Sequence, residues 1–301
     1  MIKSTIICDS IFKGNRITTY ELEYPRFIHG EIMTHRVFSR NAMSSRAVPI
    51  NKMMEQVSDN PAMPVQWGLN QSGMQAGSLH DDTALCNKVW QEAAKSAANS
   101  AQQLQDLGLH KQIVNRILEP FQLMKTIVTA TEWDNFFELR THKDAQPEFQ
   151  VLAKLMKEQF DNNKPNELLK GEWHLPYIKF NRSANVQMFY DHTGQISEED
   201  AIKISASCCA QVSYRVNDGS IDKALMIYDK LVNSKPIHAS PFEHQGKATN
   251  KVDQGLEFIW GDVDWNGCSK GVTHVDLEGN FWSGNFKNWI QYRQLINGKN
   301  I

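Results

Sequence analysis

Between Thr34 and Arg46 the chain gathers Arg36, Arg40, Arg46, His35, Asn41 and the serines Ser39, Ser44 and Ser45 within thirteen residues. From Arg26 to Arg46 four arginines stand against the single Glu31, a local net of +3 in a chain whose formal charge is -2. A guanidinium offers planar, two-pronged donors that fit phosphate oxygens, and hydroxyls and backbone amides add short-range donors. The chemistry those residue types suggest is the holding of a phosphorylated ligand. A solvated basic loop has the same composition, so spacing and the rest of the chain must decide between the two.

Two further stretches carry chemistry. Asn135-Phe136-Phe137-Glu138-Leu139-Arg140 is followed by Ala145-Gln146-Pro147-Glu148-Phe149. In a helix Asn135 and Arg140 share a face only loosely, and Phe136, Phe137 and Leu139 suit a core. Taken alone, this is a packed helix with a surface arginine. Later come Ala210-Gln211-Val212-Ser213-Tyr214 and Ile237-His238-Ala239-Ser240-Pro241-Phe242-Glu243-His244. His238, Glu243 and His244 could suggest a metal, but the spacing is not His-Glu-x-x-His and no cysteine pair lies near, so no metal is expected.

The spacings resemble those of the flavin-dependent thymidylate synthases. That family carries an Arg/His/Arg-like triplet, seven residues and then Ser, which here stands as Thr34-His35-Arg36 and Ser44, with Asn41 and Arg46 also in place. Its Asn-Phe-x-x-Leu-Arg followed by Ala-Gln-x-Glu is matched by the second stretch. Its Ala-Arg-Val-Ser and His-x-Thr/Ser-Pro-Phe-Glu-His are matched by the third. The resemblance touches residues 24 to 47, 112 to 153 and 206 to 245. In common bacterial members the Ser-Pro-Phe-Glu-His block precedes the arginine motif; here it follows, as if the chain were circularly permuted.

The resemblance implies an α+β fold with helices packed on a central, mostly antiparallel sheet, and a homotetramer with sites between subunits. It implies one-carbon transfer to C5 of a pyrimidine deoxynucleotide, first of all dUMP to dTMP, with FAD as cofactor and methylenetetrahydrofolate and NADPH as co-substrates. Thr34, His35 and Arg36 match the triplet that holds the flavin, joined by Asn135, Ser213, His238, Ser240 and Glu243. Ser44, Ser45 and Arg46 match the loop that grips the nucleotide phosphate, and Arg116 a further nucleotide contact. Glu31 stands where the family usually has Gln near the nucleotide. Arg140 matches the catalytic arginine on the pyrimidine ring. A cation there stabilises negative charge as it develops. No Gly-x-Gly-x-x-Gly follows a strand, so no dinucleotide fold competes as flavin holder.

Three departures bear on the reaction. Thr34 replaces the first arginine of the triplet, Ala42 replaces a glutamate beside the substrate, and Glu31 replaces a two-way amide with an acceptor-only carboxylate if it is ionised. They leave open a 5-hydroxymethyl product or another pyrimidine nucleotide such as dCMP. They also leave open a protein of this fold that binds flavin or nucleotide without catalysis. An unrelated α+β structural protein would need three coincident motifs.

The elements that must position these residues are legible to different degrees. Residues 4 to 23 alternate around Gly14-Asn15, a hairpin pattern. Tyr24 to Met33 reads as a helix with Pro25 in its first turn, and the arginine-serine segment as its end and the following loop. Residues 51 to 80 show no period and read as a long mobile loop. Thr83 to Leu107 has a helical apolar face through Leu85, Val89, Ala93, Ala97, Ala101 and Leu104, with Asp82 or Thr83 as cap and Gly108 as stop. A helix from Lys111 to Leu118, a strand at Thr126–Ala130, and helices from Glu132 to Thr141 and after Pro147 follow. Residues 161 to 195 look irregular. Ser197 caps a helix reaching Val212, and another runs from Ser220 to Val232. The last fifty residues, with Phe258, Ile259, Trp260, Val272 and Val275, look strand-rich before a final helix at Phe286 to Ile296.

At 301 residues, with 41% hydrophobic and 22% charged, the chain has the composition of a soluble globular protein. It is expected to form a single domain over 1–301 with insertions at 51–80 and 246–285. Balanced charge argues against nucleic acid as partner, and no apolar run approaches a membrane span. Five cysteines without a Cys-x-x-Cys pair fit reduced thiols and a cytoplasmic protein.

Overall fold

The computed structural model describes residues 2–212, 221–235, 237–248, 284–287 and 289–296, with two short strand segments at 274–275 and 281–282. Strands β1 (Lys3–Phe12) and β2 (Asn15–Pro25) form an antiparallel hairpin. Its turn is Lys13-Gly14, one residue earlier than the alternation suggested. Both residues have positive φ, 45° and 79°, the left-handed geometry that a tight two-residue hairpin requires. β3 (Ser39–Ala42) and β4 (Leu123–Ala130) extend the sheet, and β5 (Asn166–Glu167) joins β1 in parallel at the other edge. The order is β3-β4-β2-β1-β5. The fold is α+β with antiparallel-dominated sheets, as expected.

The two faces of this sheet differ in chemistry. Tyr20, Leu22 and Tyr24 of β2 alternate onto one face with Met124 and Val128 of β4. There they meet Trp133, which precedes α5 (Asp134–Thr141), Phe136 and Phe137 of that helix, and Phe149, Leu152 and Met156 of α6 (Pro147–Asn162). Each such side chain taken from water contributes roughly 1.5–3 kcal/mol. The other face carries buried Thr19, Thr129 and Ile127. It is covered partly by a small sheet of β6 (Trp173–His174), β10 (Gly246–Ala248) and β13 (Trp289–Gln291), and Ile127 packs with Cys209 of α7 (Glu198–Ala210). His174 and His244 reach from that layer to Thr19 and Thr129 at 2.8 and 2.9 Å. The helix α8 (Ile221–Val232) packs on α7.

Several expectations are corrected. Pro25 closes β2 instead of opening a helix, because residues 18–25 are held extended by the ladder to β4. Only a 3-10 turn (Arg26–Ile28) and α1 (His29–Ile32) follow. Four residues of the arginine-serine segment, Ser39–Ala42, are β3, an edge strand paired to β4. Within 51–80 a helix, α2 (Ile50–Asp59), buries Met53 and Val57. The rest of that stretch is tied down: the Trp90 indole donates to the Ala62 carbonyl at 2.8 Å, Trp67 to Asn87 at 3.1 Å, and Glu148 accepts from the Val65 amide at 2.8 Å.

α3 (Thr83–Asp106) is capped by Asp82, whose carboxylate accepts from the Leu85 amide. Its buried stripe is Ala94, Ala98 and Ala101 against α2 and α4 (Lys111–Val114), while Leu85 and Val89 of the anticipated face are exposed. Residues 161–195 contain β5, β6, β7 (Lys179–Ser183), β8 (Val186–Tyr190) and the first residue of β9 (Gln195–Ile196). These are strands too short for periodicity to reveal. Ser197 caps α7 as expected, accepting from the Asp200 amide at 3.0 Å. The final helix shrinks to β13 and α9 (Tyr292–Leu295), because Trp289–Gln291 pair with β10. β11 (His274–Val275) pairs with β12 (Phe281–Trp282), whereas Phe258, Ile259, Trp260 and Val272 lie outside the described residues. No helix among the described residues is long and apolar enough to cross a membrane.

Candidate functional site

The short helix α5 buries Phe136 and Phe137 and leaves Arg140 in its last turn, where a cation suits the helix dipole. From there the guanidinium reaches the segment after α1 and is held on three sides. Its Nε donates to His35 Nε2 at 2.9 Å, Nη1 to Glu31 Oε2 at 2.9 Å, and Nη2 to Thr34 Oγ1 at 3.2 Å. The Phe149 ring lies 4.5 Å from its central carbon, a cation–π contact. Two motifs more than a hundred residues apart thus meet in one cluster.

His35 sits in an aromatic cage of Phe38, Phe136 and Phe149, with centroids 5.5, 5.0 and 6.0 Å away. Burial, then the Arg140 and Arg40 charges, pushes its pKa down to about 4. It is therefore neutral near pH 7, and accepting from Arg140 through Nε2 fixes its proton on Nδ1.

Arg40 closes the turn from α1 into β3, donating through Nη1 to the Ile32 and His35 carbonyls at 3.1 Å each. Burial lowers its pKa, and the Glu243 carboxylate acts in the opposite sense. Along β3, Asn41 donates to the Cys209 carbonyl at 2.6 Å and accepts from the Ser240 hydroxyl at 3.2 Å. Ser39 accepts from Gln291 at 2.8 Å and from Asn285 at 3.2 Å. Glu243 is ion-paired with Arg293, and its carbonyl accepts from Gln291 at 2.8 Å. The third sequence block therefore closes onto β3.

A second cluster holds the serine loop. Glu119 accepts from Ser45 at 2.9 Å and from Arg116 at 2.7 Å, and pairs with Arg26 at 3.1 Å. Asn115 donates to the carbonyls of Ser45 and Val48 at 2.7 and 3.0 Å. The Ser44 hydroxyl accepts from the Arg46 amide at 3.3 Å.

Of the residues singled out from sequence, Glu31, Thr34, His35 and Arg140 are joined directly, Ser45 and Arg116 through Glu119, and Ser240 to β3 through Asn41. Arg36, Arg46, Asn135 and His238 are exposed, and their side chains make no hydrogen bond or ion pair among the described residues. Ser213 lies outside the described residues. Arg40 and Ser39 belong to the basic segment but neither they nor Gln291 carry an individual role from sequence. Strand-like spacing around Asn41 was the available signal for the first two; none pointed to Gln291.

The family model for thymidylate synthase complementing protein matches residues 9–166. That span contains the first and second motif blocks and stops short of the third. Solved structures include a UMP/dUMP methylase PolB from Streptomyces cacaoi bound with 5-Br dUMP, 17% identical with a TM-score of 0.46 over 53% of this chain and 90% of that one. The same protein bound with 5-Br UMP is 19% identical with a TM-score of 0.46 over 53% and 88%. Both likenesses are too distant to carry an argument. No curated protein matches the sequence.

Proposed function

We propose, for a chain that belongs to the thymidylate synthase complementing protein family, flavin-dependent one-carbon transfer to C5 of a pyrimidine deoxynucleotide. The first candidate is dUMP converted to dTMP with methylenetetrahydrofolate and NADPH. The observation that carries this reading is the Arg140 cluster: a guanidinium braced by Glu31, Thr34 and His35 and backed by Phe149. A rigidly held cation can polarise a ring carbonyl and stabilise charge as it develops, and preorganised contacts of this kind dominate many rate enhancements.

Ser44, Ser45, Arg46 and Arg116 form the proposed phosphate grip. Arg46 and Arg116 are exposed, and Ser45 is fixed by Glu119. For FAD, the side chains of Arg36, Asn135 and His238 offer donors suited to phosphates and ring carbonyls, whereas Ser240 gives its O–H to Asn41 and has only acceptor capacity left. Thr34 and His35 are engaged with Arg140, and Glu243 with Arg293, so these three serve better as braces than as cofactor ligands. Reduced FAD would supply the hydride, and the folate the carbon. Met33, Val37 and Leu139 are exposed apolar residues close in sequence to the cluster, in keeping with a homotetramer whose sites are shared between subunits.

Mass spectrometry of complete reactions with dUMP and with dCMP tests the proposal. Gain of a methyl group on dUMP supports it, gain of hydroxymethyl or reaction of dCMP redirects it, and a yellow protein bleached by NADPH that alters neither nucleotide overturns it.

A further inference from the structure

Arg140 has five N–H donors. One from each nitrogen is used, on His35, Glu31 and Thr34. One N–H on each terminal nitrogen remains. Glu31 uses only Oε2, and its Oε1 has no partner among the described residues. The Glu31 side chain is 33% exposed and that of Arg140 is 19% exposed. The pair thus offers outward an unused carboxylate oxygen beside unused guanidinium N–H groups, an acceptor next to a donor. The N3–H and O4 of a uracil present the complementary pair, a donor next to an acceptor.

From this we infer that Glu31 is the proton acceptor for N3–H of the bound uracil, working with Arg140 on O4; the inference rests on the pyrimidine reading above. As C5 bonds to the methylene carbon of the folate iminium, the electron pair of that carbon–nitrogen double bond passes to the folate nitrogen, and positive charge develops over N1 and C6 of the ring. Transfer of the N3 proton to the Glu31 carboxylate leaves its electron pair shared over N3, C4 and O4, where Arg140 stabilises it, so the ring stays neutral overall. Loss of the C5 proton to solvent re-forms the C5–C6 double bond and neutralises N1; the proton held by Glu31 then returns to N3, and Glu31 is again a carboxylate. An amide at the same position could accept a hydrogen bond but could not take the proton.

The test compares wild type, Glu31→Gln and Glu31→Asp in the complete reaction with dUMP, measuring kcat and KM across neutral to alkaline pH. For E31Q, kcat is expected to fall roughly 10²–10⁴-fold at neutral pH, the usual worth of a general base, with KM changed far less. The deficit should shrink as pH rises, because the base then ionises without help. E31D should recover part of kcat and the wild-type pH profile. Thermal unfolding of both variants should stay near wild type, since the carboxylate is partly exposed. A normal kcat in E31Q, a change in KM alone, or a deficit equal at every pH would overturn the assignment and leave the one-carbon reaction standing. Wild-type protein that modifies dCMP but not dUMP would overturn the assignment, because cytosine carries no N3 proton, and would only redirect the one-carbon reading; protein that modifies neither would overturn both.

Discussion

The Ser240 hydroxyl donates to the side-chain oxygen of Asn41 at 3.2 Å across 199 residues of chain. The same amide donates to the Cys209 carbonyl at 2.6 Å. One half-buried side chain thus fastens the third motif block, which lies beyond the family-matched span, to the first. Moving a block along the sequence need not move it in space when chain ends lie close to one another. Asn41→Ala removes two hydrogen bonds and should therefore destabilise the protein by about 1–3 kcal/mol, at about 0.5–1.5 kcal/mol each. Ser240→Ala should cost less, about 0.5–1.5 kcal/mol. Urea unfolding of both variants checks the order; equal stability of N41A and wild type would show that the two blocks are held together elsewhere.

Arg140 is the joint of the proposed reaction site, and its replacement separates charge from shape. Arg140→Ala should lower turnover at least about a hundredfold, in line with loss of a preorganised electrostatic group, while leaving the protein yellow. Arg140→Lys should recover little, because a point ammonium cannot serve His35, Glu31 and Thr34 at once. Product formation and flavin absorbance measured on one preparation decide it. Full activity in R140A would remove this arginine from the mechanism.

Arg116 is tied to Glu119 at 2.7 Å, and Glu119 also holds Ser45. If this cluster grips the nucleotide phosphate, Arg116→Ala acts on binding and not on chemistry. KM for the nucleotide should rise roughly tenfold to a hundredfold, the worth of one charge-assisted hydrogen bond, with kcat nearly unchanged. Steady-state kinetics in the nucleotide distinguish this from a kcat effect, which would place Arg116 nearer the reacting ring.

What could be read beforehand follows from how local the determining interactions are. The β1–β2 hairpin, α3, α6 and α7 announced themselves through alternation, apolar period or a cap such as Ser197, all properties of neighbouring residues. The strand β3 did not, because its extended form comes from pairing with β4, more than eighty residues away. Pro25 was misplaced for the same reason: its signal at a helix start is genuine, yet the ladder to Leu123 prevails. At the site, the family resemblance, and not residue type or spacing alone, implied Arg140 and Glu31 as neighbours of one nucleotide. That they are ion-paired to each other is a tertiary fact with no local trace. Gln291 carried no cue, since its role depends on Ser39 and on the Glu243 carbonyl.

The layer behind the sheet makes stability depend on acidity. His174 is bonded to Thr19 at 2.8 Å and Ser10 at 3.0 Å, and His244 to Thr129 at 2.9 Å, with Thr19 and Thr129 joined at 2.8 Å. Burial holds the pKa of each histidine at about 3, against an ordinary value of 6.5, with His244 adding to the effect on His174. Both are neutral in the folded protein, while in the unfolded chain they take up protons below pH 6.5. The unfolded state therefore binds more protons between pH 6.5 and about 3, and stability must fall as pH drops through that window. The stabilisation is fully present above 6.5. Each histidine can contribute a slope of up to about 1.4 kcal/mol per pH unit. Urea midpoints taken from neutral pH downward should decline, and the decline should be shallower in His174→Gln and in His244→Gln, even though both variants start from lower stability. If the slope of either variant equals that of wild type, that histidine already carries a proton in the folded state, and the neutral Thr–His arrangement behind β2 and β4 is wrong.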